Sequence, residues 1–320
     1  LGSSALLLGS LSPAKTAAWR AKSVSRADPQ RELILDMLPK TFESDRRFRS
    51  ALGIGVVLLA SGIGHLAWLG LTGADWAGPL SLRKPALFGI SAGLTVGSMV
   101  WVMRQMVPHR WDKFFMRGLS IGLLVEVGLI TVQYWRGVPS HFNRTTGLDA
   151  FIETTMLILI LGVTLGITWL CVRSWWLLPM PAAQALALRA GLWFLLVSCG
   201  LGVAITVLGD VQLANGNSPE LWGRAGVLKY PHGATLHAIQ TLPLISALLG
   251  RLRIHRALDL VRAAVAAHVL LLFQALWQTS HGLGRLDLDW VGGAALAIAA
   301  VFLLLTPFAI IAQIAPRMRV

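Results

Sequence analysis

The sequence predicts an all-α polytopic membrane protein, and three observations carry that prediction. Hydrophobic residues make up 55% of the chain and charged residues 13%, with a mean hydropathy of +0.65, a balance foreign to water-soluble domains. The apolar residues fall into eight runs, each near the roughly 20 residues a helix needs to cross a hydrocarbon core about 30 Å thick. Lys and Arg, 28 in all, gather on alternate connections between the runs, the asymmetry that orients helices in a bilayer.

In chain order the predicted spans are 51–72, 86–106, 114–135, 150–173, 186–209, 233–250, 261–281 and 291–314. Trp68 and Trp76 flank the end of the first as interfacial anchors. The second carries Gly89, Gly93 and Gly97 on one stripe, the third Gly118 and Gly122, and the fourth Gly162 and Gly166. Small residues spaced by four let helices approach closely where lipid offers no hydrophobic drive for association. Spans four and five are long enough to tilt. The sixth is the shortest and contains Pro243, and the eighth contains Pro307; each proline frees a carbonyl about four residues earlier and kinks its helix.

The N-terminal tail, the 2/3, 4/5 and 6/7 connections and the C-terminus together hold 21 Lys and Arg, against 7 on the other connections. Both termini are therefore expected in the cytoplasm, in the cell membrane, with the formal charge of +13 facing anionic lipid head groups. No aromatic-interleaved basic patch supports nucleic-acid binding. Residues 1–49 read as a basic cytoplasmic leader, disordered or partly an interfacial helix around residues 31–38, and residues 50–320 as the membrane domain. Ala5 to Leu8 is too short for a signal-peptide core, and the opening Leu1 leaves open a trimmed or a wrongly assigned start. Cys171 and Cys199 lie at different depths and read as packing residues.

A four-plus-four duplication, with halves 50–180 and 181–320, is suggested by two correspondences. Trp76 and Pro85 match Trp222 and Pro231 at an offset of 146, while Ser140-His141 and Asp149 match Ser280-His281 and Asp289 at 140. An even-numbered repeat keeps its orientation, so the halves would be parallel.

Polar residues collect at one end of the spans. They are His65, Lys84, Glu126, Gln133, Ser140, His141, Asn143, His232, His237, Gln240, Gln274, Gln278 and His281. At 100° per residue, Glu126 and Gln133 fall about 20° apart, and Gln274, Gln278 and His281 within about 60°. Glu126 is the most costly, since a charge at the bilayer centre costs on the order of 2.5–3.5 kcal/mol; it is neutral, paired or facing a polar cavity. Glu126 and His141 are the candidate catalytic residues, and His65, Lys84, Asn143, His232, Gln240 and Gln278 the candidate substrate-binding set. His141, His237 and His281 are the candidate ligands of a transition metal such as zinc. Haem is the weaker cofactor candidate, because His268 and His281 point to nearly opposite sides of their helix. The plainest alternative is that these histidines are interfacial polar residues satisfying one another.

The strings Arg83-Lys84-Pro85-Ala86-Leu87-Phe88-Gly89, Arg136-Gly137-Val138-Pro139-Ser140-His141-Phe142-Asn143 and Pro231-His232-Gly233-Ala234-Thr235-Leu236-His237-Ala238-Ile239-Gln240 resemble those of an uncharacterised family of bacterial multi-span membrane proteins. The resemblance covers 51 to about 282, leaves the leader outside and implies no activity. Three functions stay open: a membrane enzyme with an outward-opening site, a small-solute transporter, and an accessory or scaffold subunit. An enzyme calls for a bound metal or haem and a blind cavity open only to the outer side, a transporter for a polar midplane with an inner vestibule, and a scaffold for no cavity.

Overall fold

A computed structural model describes residues 47–314 apart from Asp75, Ala77, Pro79, Leu177, Glu220, Gly223, Arg224 and Val227. The expected leader thus lies almost wholly outside the described residues. Nine helices are described: α1 (Arg49–Thr72), α2 (Arg83–Gln105), α3 (Asp112–Trp135), α4 (Gly147–Ser174), α5 (Ala182–Ala214), α6 (Lys229–Leu236), α7 (Ala238–Arg251), α8 (Ala257–Ser280) and α9 (Trp290–Ile314). Between α5 and α6 two short strands, β1 (Leu221–Trp222) and β2 (Ala225–Gly226), pair antiparallel. With α6 and α7 forming one span, eight helical segments are long and apolar enough to cross a membrane. Large apolar side chains such as Leu71, Phe114, Leu165, Leu244 and Phe308 are exposed along the spans, the surface a lipid-facing bundle presents.

Two boundaries differ from the sequence prediction. Helix α5 runs 33 residues because Asp210 and Gln212 continue the helix past its apolar run, to a stop at Asn215-Gly216-Asn217 where Gly216 takes φ +75°. The sixth span breaks at His237, the junction of α6 and α7, not at Pro243. The proline removes the donor for the Ile239 carbonyl and crowds the turn before it, and the break sits at the start of that turn.

The bundle's two ends are tied by different chemistry. At one end, here the proximal end, Arg173 at the foot of α4 pairs with Asp112 at the start of α3 (2.5 Å) and donates to the Val107 carbonyl (2.8 Å). Both side chains are nearly fully buried. Arg47 approaches Asp112 at 3.7 Å and bonds the His109 carbonyl, Arg189 donates to the Ser174 carbonyl, and Gln313 donates to the Arg253 carbonyl. The 2/3, 4/5 and 6/7 connections and both ends of the span array therefore share this end. At the distal end lie the 1/2, 3/4, 5/6 and 7/8 connections.

Close packing is concentrated in one helix pair. A Cβ on Gly89 would stand 2.8 Å from the Gly62 Cα, and one on Gly93 2.7 Å from the Gly55 carbonyl oxygen, so α1 and α2 touch backbone to backbone. Gly97, Gly118, Gly162 and Gly166 meet nothing within 4 Å, so their regular spacing marks no contact. Gly191 on α5 supplies a second close approach, against Ile239 of α7. Below the middle of the bundle, Met99, Val100, Met103, Met116, Leu119, Leu170, Leu188 and Leu192 form one continuous apolar core.

Helix ends recur at matching spacing: α2 and α6 begin 146 residues apart, and α3 and α8 end 145 apart. Both latter helices close on a left-handed glycine, Gly137 or Gly282, with Val138 and Leu283 donating back to the Gln133 and Gln278 carbonyls at 3.1 and 2.9 Å. In that register Gln133 matches Gln278, so the Ser-His pairs do not correspond. His281 caps α8, whereas His141 lies six residues past the end of α3.

Candidate functional site

One cavity of about 460 Å³ opens inside the distal half, lined by α2 to α6 and the distal connections, within the roughly 300–1,000 Å³ of small-molecule sites. It narrates three zones from the distal end inward. Arg83 and Lys84 from the start of α2, Lys229 from α6 and Arg285 from the 7/8 connection form a cationic mouth with Trp76 and His141. Leu87, Phe88, Ile205 and Leu236 then line an apolar shaft. Deeper still stands Glu126 on α3, with Ser91, Thr95 and Cys199 also on the wall, whereas His232, between Lys229 and Leu236 on α6, and Thr206, beside Ile205 on α5, belong to the level of the shaft. On the proximal side Leu123, Ile167 and Leu195 line the cavity, and the apolar core follows within two turns on each helix.

Glu126 lies nine residues from the distal end of α3, roughly 13 Å by helical rise. It is 6% exposed, and its Oε2 is buried without a hydrogen-bond partner. A buried carboxyl oxygen left unsatisfied keeps its full desolvation cost, and here the side chain lines an open volume. His232 shows complementary order. Its Nδ1 lies 2.8 Å from the Ser198 carbonyl and 3.0 Å from the Ser198 hydroxyl. Because a carbonyl only accepts, Nδ1 carries the proton, and neutral His232 has Nε2 as an acceptor.

His141 is set by a loop over-determined by hydrogen bonds. Phe142 adopts φ +58°, a strained value for a residue with a side chain. Its N–H donates to Glu153 Oε1 and Arg144 Nε donates to Glu153 Oε2, both at 2.9 Å. The Phe142 ring covers the face of α5 at Gly209, where any Cβ would collide with it. The loop's base is Asp149, which accepts from Gln133 (3.0 Å), Arg136 (2.8 Å), Thr145 (3.2 Å) and Thr146 (2.6 Å); Arg136 also bonds Gln133. Thr146 caps α4 by accepting from the Asp149 N–H. His141 itself pairs with the Ser140 hydroxyl at 2.9 Å and lies 6.0 Å from the Phe88 ring.

Of the residues singled out from sequence, Glu126, His141, Lys84 and His232 therefore meet at one cavity, and the others do not. The expected convergence of His141, His237 and His281 is corrected: neither His237 nor His281 lines the cavity. His237 sits at the α6–α7 break with its ring exposed. His281 is exposed at the end of α8, its Nδ1 bonded to the Trp277 carbonyl at 2.9 Å and its ring 4.1 Å from that of Trp277. Among the described residues no three His, Cys, Asp or Glu are grouped to hold a metal ion. Two imidazoles and one carboxyl on separate walls do not make the expected zinc set.

The remaining candidates serve the frame. His65 bonds the Ser61 carbonyl on its own helix at 2.7 Å and packs near Trp135. Asn143 is buried, donates to the Pro139 carbonyl and accepts from Thr145 within its loop. Gln278 donates to the Gly284 and Asp287 carbonyls of the 7/8 connection. Gln240 has neither amide atom partnered yet does not line the cavity. Gln274 accepts from Tyr230 Oη at 2.6 Å. His268 links α8 to α7 through Thr241 Oγ1 at 2.9 Å. Three mouth residues, Arg83, Lys229 and Arg285, were not among the candidate site residues read from sequence; their position at span starts and in a distal connection was the signal available.

Comparison of the chain with protein-family models, with curated proteins and with solved structures found no match.

Proposed function

We propose that this is a multi-pass protein of the cell membrane that admits a small molecule from the extracytoplasmic side into the distal cavity, where Glu126 and His232 act on it as acid and base. The observation that supports this reading most is the buried, unpartnered Glu126 Oε2 on the wall of a cavity that also presents His232, whose Nδ1 is fixed on Ser198. A carboxyl and an imidazole with one nitrogen held and the other available are the groups that proton transfer uses. His141, Lys84 and Arg83 supply charge and hydrogen bonds at the mouth. Assignment of the distal end to the outside rests on the Lys and Arg asymmetry of 21 to 7. Basic connections at the proximal end would then meet anionic lipid head groups.

The enzyme reading is favoured over a carrier by the floor. A carrier needs an alternate opening toward the other side, and the proximal half is filled by buried Met, Leu and Val side chains. The chemistry is assigned to side chains alone, and no step passes through a metal or haem.

Accessibility tests the reading. In a Cys171→Ala, Cys199→Ala background, Asn217→Cys and Thr206→Cys are expected to react with a small membrane-impermeant thiol reagent in intact cells, and Arg253→Cys only after the membrane is opened. Asn217 is preferred over the buried Asn143 as the surface reporter. Labelling of Arg253→Cys from outside, or of Thr206→Cys only from the cytoplasmic side, overturns it.

A further inference from the structure

The polar groups of the cavity are sorted by hydrogen-bonding sense along its depth, and from that sorting the geometry points to the ligand class. The site takes a single-chain amphiphile with an anionic group at one end, a carboxylate or phosphate, and a hydrogen-bond donor such as a hydroxyl toward the other. The inference deepens the proposed function and rests on it. At the mouth stand Arg83, Lys84, Lys229 and Arg285, and among the described residues that line the cavity the one acid is Glu126, deeper on α3. Arg and Lys only donate, and Arg83 and Arg285, set where low-dielectric walls focus their field, favour an anion. Arg83 lies 5.9 Å from the Trp76 ring and Arg285 5.6 Å from that of Tyr230, contacts that hold a guanidinium without neutralising it.

In the depth the sense reverses. Glu126 Oε2 is buried without a partner on a side chain only 6% exposed. Partway in, between Lys229 and Leu236 on α6, His232 with Nδ1 committed to the Ser198 carbonyl has Nε2 as a second acceptor. Both groups complement a donor. Between the zones the wall is Leu87, Phe88, Ile205 and Leu236, which complements methylenes. The span from mouth to Glu126 is roughly 13 Å along α3 by helical rise, longer than a free inorganic anion or an amino acid and suited to a short alkyl chain.

Binding to the whole chain in phosphatidylcholine nanodiscs tests this, with labelled ω-hydroxydodecanoate as the probe, empty discs as the partition background, and dodecanoate and dodecanol as competitors. Each competitor lacks one polar end, and a site with a buried polar group left unpaired rejects such an analogue. Both are expected to compete at least tenfold more weakly than unlabelled ω-hydroxydodecanoate. Glu126→Gln is expected to shrink the preference for the hydroxylated acid over dodecanoate. Arg83→Gln with Lys84→Gln is expected to shrink the preference for ω-hydroxydodecanoate over dodecanol. Discs containing phosphatidylglycerol separate the two sources of an anion: weaker probe binding there assigns the site to a membrane lipid's head group, and unchanged binding to a free amphiphile. Equal competition by all three compounds overturns the inference in wild-type protein alone, so it does not depend on any variant folding. If no probe binds while Thr206→Cys is labelled from outside, the ligand class falls and the proposed function stands. If Thr206→Cys is labelled only from the cytoplasmic side, both fall.

Discussion

Helix α3 carries two buried acidic side chains, Asp112 at 1% exposure and Glu126 at 6%, and the bundle treats them in opposite ways. Asp112 is saturated. It takes an ion pair from Arg173, a second approach from Arg47 and a backbone hydrogen bond from His109 N–H at 2.7 Å. Glu126 has a buried oxygen with no partner and a cavity in front of it. Burial of an acid is thus not the mark of a site. What separates staple from site is whether the protein completes the group's hydrogen bonds itself.

The largest expected effect tests the first half of that contrast. Arg173→Leu leaves Asp112 buried against Arg47 alone and is expected to destabilise the protein by about 3–5 kcal/mol, measured by thermal or SDS unfolding in detergent. The double variant Arg173→Leu with Asp112→Leu is expected to recover most of the loss, since an ion pair replaced by apolar groups is often near neutral. A single variant that unfolds like the parent breaks the comparison at its proximal end.

Next in size is helix packing. Gly89→Val drives a side chain into the backbone of α1 at Gly62, and overpacking costs about 1–3 kcal/mol or more. Gly97→Ala, with open space at its Cβ, is expected to change stability by less than about 0.5 kcal/mol. Equal losses at the two glycines would show that the α1–α2 contact is looser than its geometry implies.

Glu126→Leu then sharpens the contrast by sign. Removing an unsatisfied buried group and adding apolar volume is expected to leave stability unchanged or raise it by about 1 kcal/mol, while Glu126→Gln and Glu126→Leu both impair function. A loss on the scale of Arg173→Leu would make Glu126 a structural residue and remove the centre of the proposed site.

How much of this was legible in the sequence follows from the same physics. Eight spans and their ends, mostly within a few residues, could be read because lipid imposes one length and one polarity on every helix. Glu126 could be singled out because an acidic residue inside an apolar run is costly wherever it points. The histidines could not be sorted. Placing His237 with His141 and His281 assumed straight helices and a common depth, whereas the chain breaks at His237 and His281 already belongs to the end of α8. The glycine stripes misled for a related reason: spacing of four says that a close approach is possible, and only Gly89 and Gly93 found glycines, Gly62 and Gly55, on the facing helix. Connections were the least legible part, because the strained backbone at Phe142 and the Asp149 network depend on contacts between segments that sequence period does not encode.

The smallest expected effect compares the 3/4 and 7/8 connections, which close on acids held in different ways. Asp149 is buried in a network that includes the Arg136 ion pair, whereas Asp289 is held chiefly by hydrogen bonds: Gly292 N–H donates to Oδ1 at 2.7 Å and Trp277 Nε1–H to Oδ2 at 2.8 Å. Those donors, the backbone bond first and the indole second, hold the Asp289 carboxyl below the ordinary aspartate range. A depressed folded-state pKa means that the ionised acid contributes stability above its unfolded pKa. That contribution is lost as pH falls through the folded value. Acidification below the usual aspartate range is therefore expected to loosen the start of α9, seen as faster amide hydrogen exchange at Gly292 and Gly293. Asp289→Asn keeps an acceptor for one donor but removes the titration, so its exchange at these two amides is expected to lose most of the acid dependence. If wild type and Asp289→Asn respond alike to acid, the 7/8 connection is held by something other than these two hydrogen bonds, and its contrast with the Asp149 network disappears.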